Sequence, residues 1–96
     1  MYLVRDIFHC KPGKAKELVN KFKQTIPFME ERHLMNARLM TDVVSNFWTV
    51  ILEGEVNNLS DFENTKGFTS QEKVKEIMAG YMDLVEGGKR EIFRIE

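Results

Sequence analysis

The apolar residues of this chain recur with two periods, and the switches between them divide it into elements. Residues 3–10 alternate: Tyr2, Val4, Asp6, Phe8 and Cys10 fall on one side, and Leu3, Arg5, Ile7 and His9 on the other. Strand side chains point alternately to two faces, so a first strand is predicted that is partly apolar on both. Lys11-Pro12-Gly13-Lys14 ends it, because Pro12 has no N–H for a ladder and Gly13 permits a turn. Ala15, Leu18, Val19, Phe22, Ile26, Met29 and His33 then recur at spacings of three and four, the stripe of an amphipathic helix. Pro27 lies within it, and its ring and missing N–H predict a kink or brief break near residues 25–27.

Alternation returns at residues 35–41, with Met35, Ala37 and Leu39 opposite Asn36, Arg38 and Met40. Residues 42–46 predict a turn with Ser45-Asn46 at its apex, and residues 47–55 a third strand antiparallel to the second. Its core, Phe47-Trp48-Thr49-Val50-Ile51-Leu52, is apolar at nearly every position and needs cover on both faces. Ser60-Asp61-Phe62-Glu63 has the form of a capping box and predicts a short helix ended by Gly67. Thr69-Ser70-Gln71-Glu72 is a second box, with Thr69 as N-cap and Glu72 at the third helical position. The helix it opens carries Val74, Ile77, Met78, Tyr81 and Val85 on one stripe and ends at Gly87-Gly88. Gly80 inside it costs roughly 1 kcal/mol. Residues 89–96 close the chain as a fourth strand with Ile92, Phe93 and Ile95.

The order β-α-β-β-α-β describes one α+β domain over residues 1–96, ferredoxin-like, with an antiparallel sheet. Right-handed crossovers place both helical regions on one face of that sheet. The other face keeps apolar residues that the chain has no further element to cover. A second copy of the chain is the simplest cover, so a homodimer is expected.

Composition narrows the function classes. The chain has 96 residues, 43% hydrophobic and 30% charged, with a net charge of −1. No concentrated positive charge exists for nucleic acid, so no nucleic-acid partner is expected. No apolar run reaches the about 20 residues that span a bilayer, and the first residues lack a basic flank followed by an apolar run. No membrane partner is expected. Cys10 is the single cysteine, so no intramolecular disulfide can form and a reducing cytoplasm is the expected compartment. His9 and His33 are the only histidines, which makes a structural zinc site within one chain improbable. No cofactor is expected.

Several residues carry possible chemistry, each with a structural alternative. His9 shares a strand face with Arg5, roughly 7 Å along the strand. A nearby cation favours the neutral imidazole, which could serve as a base; alternatively His9 is satisfied by backbone or dimer contacts. Asp6 sits among Val4 and Phe8, where a carboxylate must find partners or shift its pKa upward. It is either a general base or the partner of a helix residue. Trp48 and Tyr81 suit an aromatic ligand pocket or the core. Arg38 fits an anionic ligand or an interface salt bridge. Cys10 reads as a small buried hydrophobe, and Met29, Met35 and Met78 as gap-fillers.

Phe8-His9-Cys10-Lys11-Pro12-Gly13-Lys14-Ala15, a strand ending in an aromatic before Lys-Pro-Gly-Lys and an amphipathic helix, resembles the opening of the dimeric α/β-barrel superfamily. Within it the likeness is to the NIPSNAP-like and antibiotic-biosynthesis-monooxygenase-like families, with a weaker echo at Leu59-Ser60-Asp61-Phe62-Glu63. The resemblance implies two sheets packed face to face across a homodimer two-fold, and a pocket between helices and sheet. Its members include cofactor-free monooxygenases acting on aromatic metabolites, haem-degrading enzymes, and proteins of no assigned activity. The haem-degrading members look to a histidine on the second helical region, and residues 60–86 contain none. Two functions are carried forward. One is a cofactor-independent monooxygenase-like enzyme on a hydrophobic, aromatic metabolite, with Asp6 and His9 catalytic and Arg5, Arg38, Trp48 and Tyr81 binding. The alternative is a non-catalytic dimer that binds a small ligand or serves in assembly.

Overall fold

The computed structural model describes residues 1–60 and 71–96. Strand β1 spans Tyr2–Cys10, helix α1 Ala15–Glu31, β2 Met35–Thr41, β3 Thr49–Val56, α2 Glu72–Met78 and β4 Val85–Arg94, with a 3-10 turn at Tyr81–Leu84. The strands form one antiparallel sheet ordered β2-β3-β1-β4. Each helical crossover skips one strand, so β1 and β3 take the centre. This is the ferredoxin-like α+β fold.

Strand register sorts the side chains. Val4 lies opposite Gly54 and Ile92, Asp6 opposite Leu52 and Arg90, and Phe8 opposite Val50 and Gly88. Paired residues share a face, and this is the face the helices cover. Leu18 and Phe22 of α1 close on Cys10, Val50, Leu52 and Leu84. The Phe8 and Phe22 rings meet at 5.2 Å between centroids. Cys10 is buried, as a small hydrophobe should be, and burial pushes its thiol up. The opposite face presents Leu3, Arg5, Ile7 and His9, flanked by Ile51 and Glu53 of β3 and by Glu91 and Phe93 of β4.

Several local readings change in the folded chain. Helix α1 runs unbroken through Pro27, because the apolar phase is the same on both sides and packing outweighs one missing hydrogen bond. The fully buried Thr25 hydroxyl donates to the Phe22 carbonyl at 3.1 Å. His33 lies beyond the helix in the left-handed region, at φ +74.

In β2, Asn36 at φ +53 slips the register: Met35 pairs with Glu55 and Arg38 with Glu53. Met35 therefore shares a face with Arg38 and Met40, not with Leu39. Strand β3 starts at Thr49 rather than Phe47. The Thr49 N–H donates to Asp42 Oδ1 at 2.9 Å and its hydroxyl to the Asn46 carbonyl at 2.8 Å. These bonds hold the loop ahead of the ladder, leaving Phe47 84% exposed and Trp48 at φ +63.

Helix α2 ends at Met78, and Gly80 at φ +78 turns the chain out of it instead of weakening its interior. The Lys21 ammonium donates to the carbonyls of Ile77 and Ala79 at 3.0 and 2.9 Å, tying α1 to this helix end. The helix opens at Glu72, its first residue, after extended Gln71. Gly87-Gly88 fall inside β4, which starts at Val85. Asp61–Glu63 of the first capping box, the rest of the helix it predicts and the Thr69 cap fall on residues 61–70, outside the described residues.

Candidate functional site

Among the described residues, the helices do not seal the sheet. A cavity of about 870 Å³ lies between them and its covered face. Val4, Phe8 and Leu52 form its floor, Phe22, Thr25 and Met29 one wall, and Val74, Met78 and Tyr81 another. The floor follows from alternation along β1 and β3, and the walls from the stripe of α1 and the split stripe of α2 and the 3-10 turn. Strands β1 and β4 place one charged pair in it. Arg90 Nε donates to Asp6 Oδ1 at 2.6 Å and Arg90 Nη2 to Asp6 Oδ2 at 3.2 Å, the two-pronged geometry that suits a guanidinium and a carboxylate. Arg32, just past the end of α1, and Lys75 of α2 also border the cavity.

The expected site residues divide between three places. Asp6 and Tyr81 line the cavity. His9 and Arg5 lie on the opposite face of β1, and Arg38 joins them there from β2. Trp48 stands apart at the β2–β3 hairpin, over a shallow groove with Phe47, Ala15, Lys16 and Val19. Asp6 and His9 thus project from opposite sides of one strand, as residues three apart must.

The opposite face holds a second polar cluster. Arg5 Nε donates to Glu53 Oε1 at 2.9 Å, and Arg38 Nη2 donates to Glu53 Oε2. Glu53 is only 3% exposed. Burial pushes its carboxyl up, but the hydrogen bonds and charges of the two arginines outweigh that and hold it below the usual glutamate range. The Arg5 guanidinium also lies 5.8 Å from the centre of the Phe93 ring. Glu53, Arg90, Arg32 and Lys75 were not singled out from sequence. The signal for Glu53 was present: a carboxylate at the centre of the most apolar strand needs cationic partners.

Among the described residues no group of three His, Cys, Asp or Glu side chains could hold a metal ion. No helix among them is long and apolar enough to cross a membrane.

No known family profile matches the sequence, and no curated protein matches it. Solved structures do. A NIPSNAP family protein from Agrobacterium tumefaciens superposes with a TM-score of 0.82 at 14% identity, over 99% of this chain and 92% of that one. An uncharacterized NIPSNAP domain protein from Burkholderia xenovorans gives 0.81 at 9% identity, over 100% and 95%. A protein from Chloroflexus aurantiacus provisionally assigned as an antibiotic biosynthesis monooxygenase gives 0.77 at 11% identity, over 99% and 92%. The two families whose likeness the Lys-Pro-Gly-Lys string carries are thus both among the structural matches. Across its whole length, this chain has the fold that the NIPSNAP proteins and the Chloroflexus protein share.

Proposed function

We propose that the protein is a homodimer that binds a small hydrophobic, aromatic metabolite in the cavity between its helices and its sheet. The cavity carries this reading. A domain of this size packs its interior densely, and an apolar space of about 870 Å³ under its helices falls within the 300–1,000 Å³ typical of ligand sites. The test is fluorescence titration with phenylnaphthylamine, an uncharged aromatic probe that brightens in apolar surroundings. Saturable binding is expected, weakened about tenfold by Met78→Trp, which fills the cavity while the melting temperature holds. Absence of binding, or binding indifferent to Met78→Trp, overturns the reading.

Two observations support the dimer. The sheet face away from the helices carries Leu3, Ile7, Ile51 and Phe93, with Phe93 47% exposed. The nearly buried Glu53 and its arginines sit amid these residues, an arrangement common at subunit contacts, where arginine is enriched. Sedimentation at micromolar concentration is expected to give twice the chain mass, and Phe93→Glu to give the single chain. A wild-type monomer overturns the dimer.

A catalytic reading is favoured by one specific placement: Asp6 and Tyr81 face the same cavity. A cofactor-independent monooxygenase-like reaction on a quinol would use Asp6 as base. Its expected signature is oxygen uptake with a quinol that disappears in Asp6→Asn. Binding without uptake leaves the protein a non-catalytic binder. His9 is not part of this reading, since its side chain is on the other face of the sheet.

A further inference from the structure

We infer that the loop joining β2 to β3 is a peripheral anchor for an anionic lipid surface. The loop lies outside the cavity and needs no ligand in it. Val43 and Val44 are 95% and 94% exposed, and Phe47 84%. Single apolar residues on a surface are ordinary, but a contiguous group marks a contact. Exposure this complete means that these side chains touch almost nothing of their own chain, so they project. The loop is nonetheless held. The Asp42 N–H donates to the Thr49 carbonyl at 3.3 Å, the Thr49 N–H to Asp42 Oδ1 at 2.9 Å, and the Cys10 N–H to the Trp48 carbonyl at 2.8 Å. Less ordering is then left for binding to impose.

The charges at the base of the loop name the partner. The bond from Cys10 to Trp48 sets Lys11, and the turn from Lys11 to Lys14, beside it. Lys16 shares a shallow groove with Phe47 and Trp48. All three lysines are exposed. Lys14 pairs with Glu17 at 3.5 Å and Asp42 accepts from the Thr49 N–H, but among the described residues Lys11 and Lys16 have no ion pair. Valine and phenylalanine at the tip, tryptophan next to them and lysines at the base match the passage from acyl chains to anionic headgroups. A stable protein interface takes about 20–30 residues a side, whereas this loop has the six residues 43–48. A projecting tip also needs a matching pocket in a protein, while a fluid lipid layer accepts it without one. Such a contact requires no segment that spans the bilayer.

Trp48, the single tryptophan, is its own reporter. The full chain is mixed with vesicles of equal parts phosphatidylcholine and phosphatidylserine, and with vesicles of phosphatidylcholine alone. Cosedimentation is expected with the first and little with the second, and Trp48 emission should be quenched when the acyl chains carry bromine. Val44→Glu/Phe47→Glu should abolish binding, and Lys11→Gln/Lys16→Gln should weaken it roughly thirtyfold, as two cations near an anionic surface warrant. Both variants should keep the wild-type melting temperature and, without lipid, the wild-type mass in sedimentation. Failure to bind the anionic vesicles, equal binding to the neutral ones, or binding that survives Val44→Glu/Phe47→Glu or leaves Trp48 unquenched overturns the anchor. So does a fall in mass for Val44→Glu/Phe47→Glu without lipid, which would make the loop a contact between copies of the chain.

Discussion

Replacing Arg5 and Arg38 together by Met is expected to cost about 3–5 kcal/mol of stability at neutral pH and to invert its pH dependence. The methionines keep most of the side-chain bulk, so the change isolates the charges. In the wild type the Glu53 carboxyl lies below its usual range. The unfolded chain then binds more protons than the folded one in acid. This stability is present above the unfolded value, about 4.3, and is lost as pH falls through the lower folded value.

With both arginines gone, only burial acts on Glu53, and its folded pKa rises above the unfolded one. In the double variant Glu53's contribution should therefore be most favourable in acid, below the unfolded value, and be lost as pH rises through the raised folded value. Urea unfolding at a series of pH values reads both slopes. A third change, Glu53→Leu, should restore most of the loss, because a buried ion pair replaced by apolar groups is often neutral in stability. A double variant that keeps the wild-type slope would mean that the two arginines do not set the state of Glu53.

Gly88→Ala is expected to destabilise the fold by about 3 kcal/mol, while its neighbour Gly87→Ala shifts stability by less than about 0.5 kcal/mol. A Cβ on Gly88 would stand 2.4 Å from the Ile7 carbonyl oxygen. That atom is backbone in the central strand, so relief requires β1 and β4 to separate. At Gly87 a Cβ meets nothing within 4 Å. Both glycines are in β4 and lose similar chain entropy, so their difference isolates the close approach. Thermal melts of the two variants compare them, and equal midpoints would remove the steric account. Separation of β4 at this point would also disturb Arg90, two residues along, and with it the Asp6 pair.

The order and type of the main elements were legible because each reads as a strong period: alternation in β1 and β2, a stripe in α1. The element ends were less so. Phe47 and Trp48 extend the apolar run of β3 without a break, yet the strand starts at Thr49, which Asp42 and Asn46 hold. Gly80 and Gly87-Gly88 exchange roles for a similar reason. Glycine marks a departure from the local rule, and only the neighbouring backbone decides whether it ends a helix or lets two strands approach. In the site, Asp6 was found because a carboxylate among apolar neighbours is conspicuous. Arg90 was not, since an arginine near a chain end is ordinary until register sets it against Asp6.

The sequence by itself determined the fold class, the two-faced character of the central strands and the absence of any concentrated charge. These follow from periodicity and composition, which each segment carries alone. Only the tertiary structure decided which polar residues meet. It set Asp6 against Arg90 under the helices, gathered Arg5 and Arg38 on Glu53 across the sheet, and left Arg32 and Lys75 bordering an open space. Such meetings depend on strand register and on how far apart the helices dock. Both are set by the fit of side chains distant in sequence, and no local pattern encodes that fit.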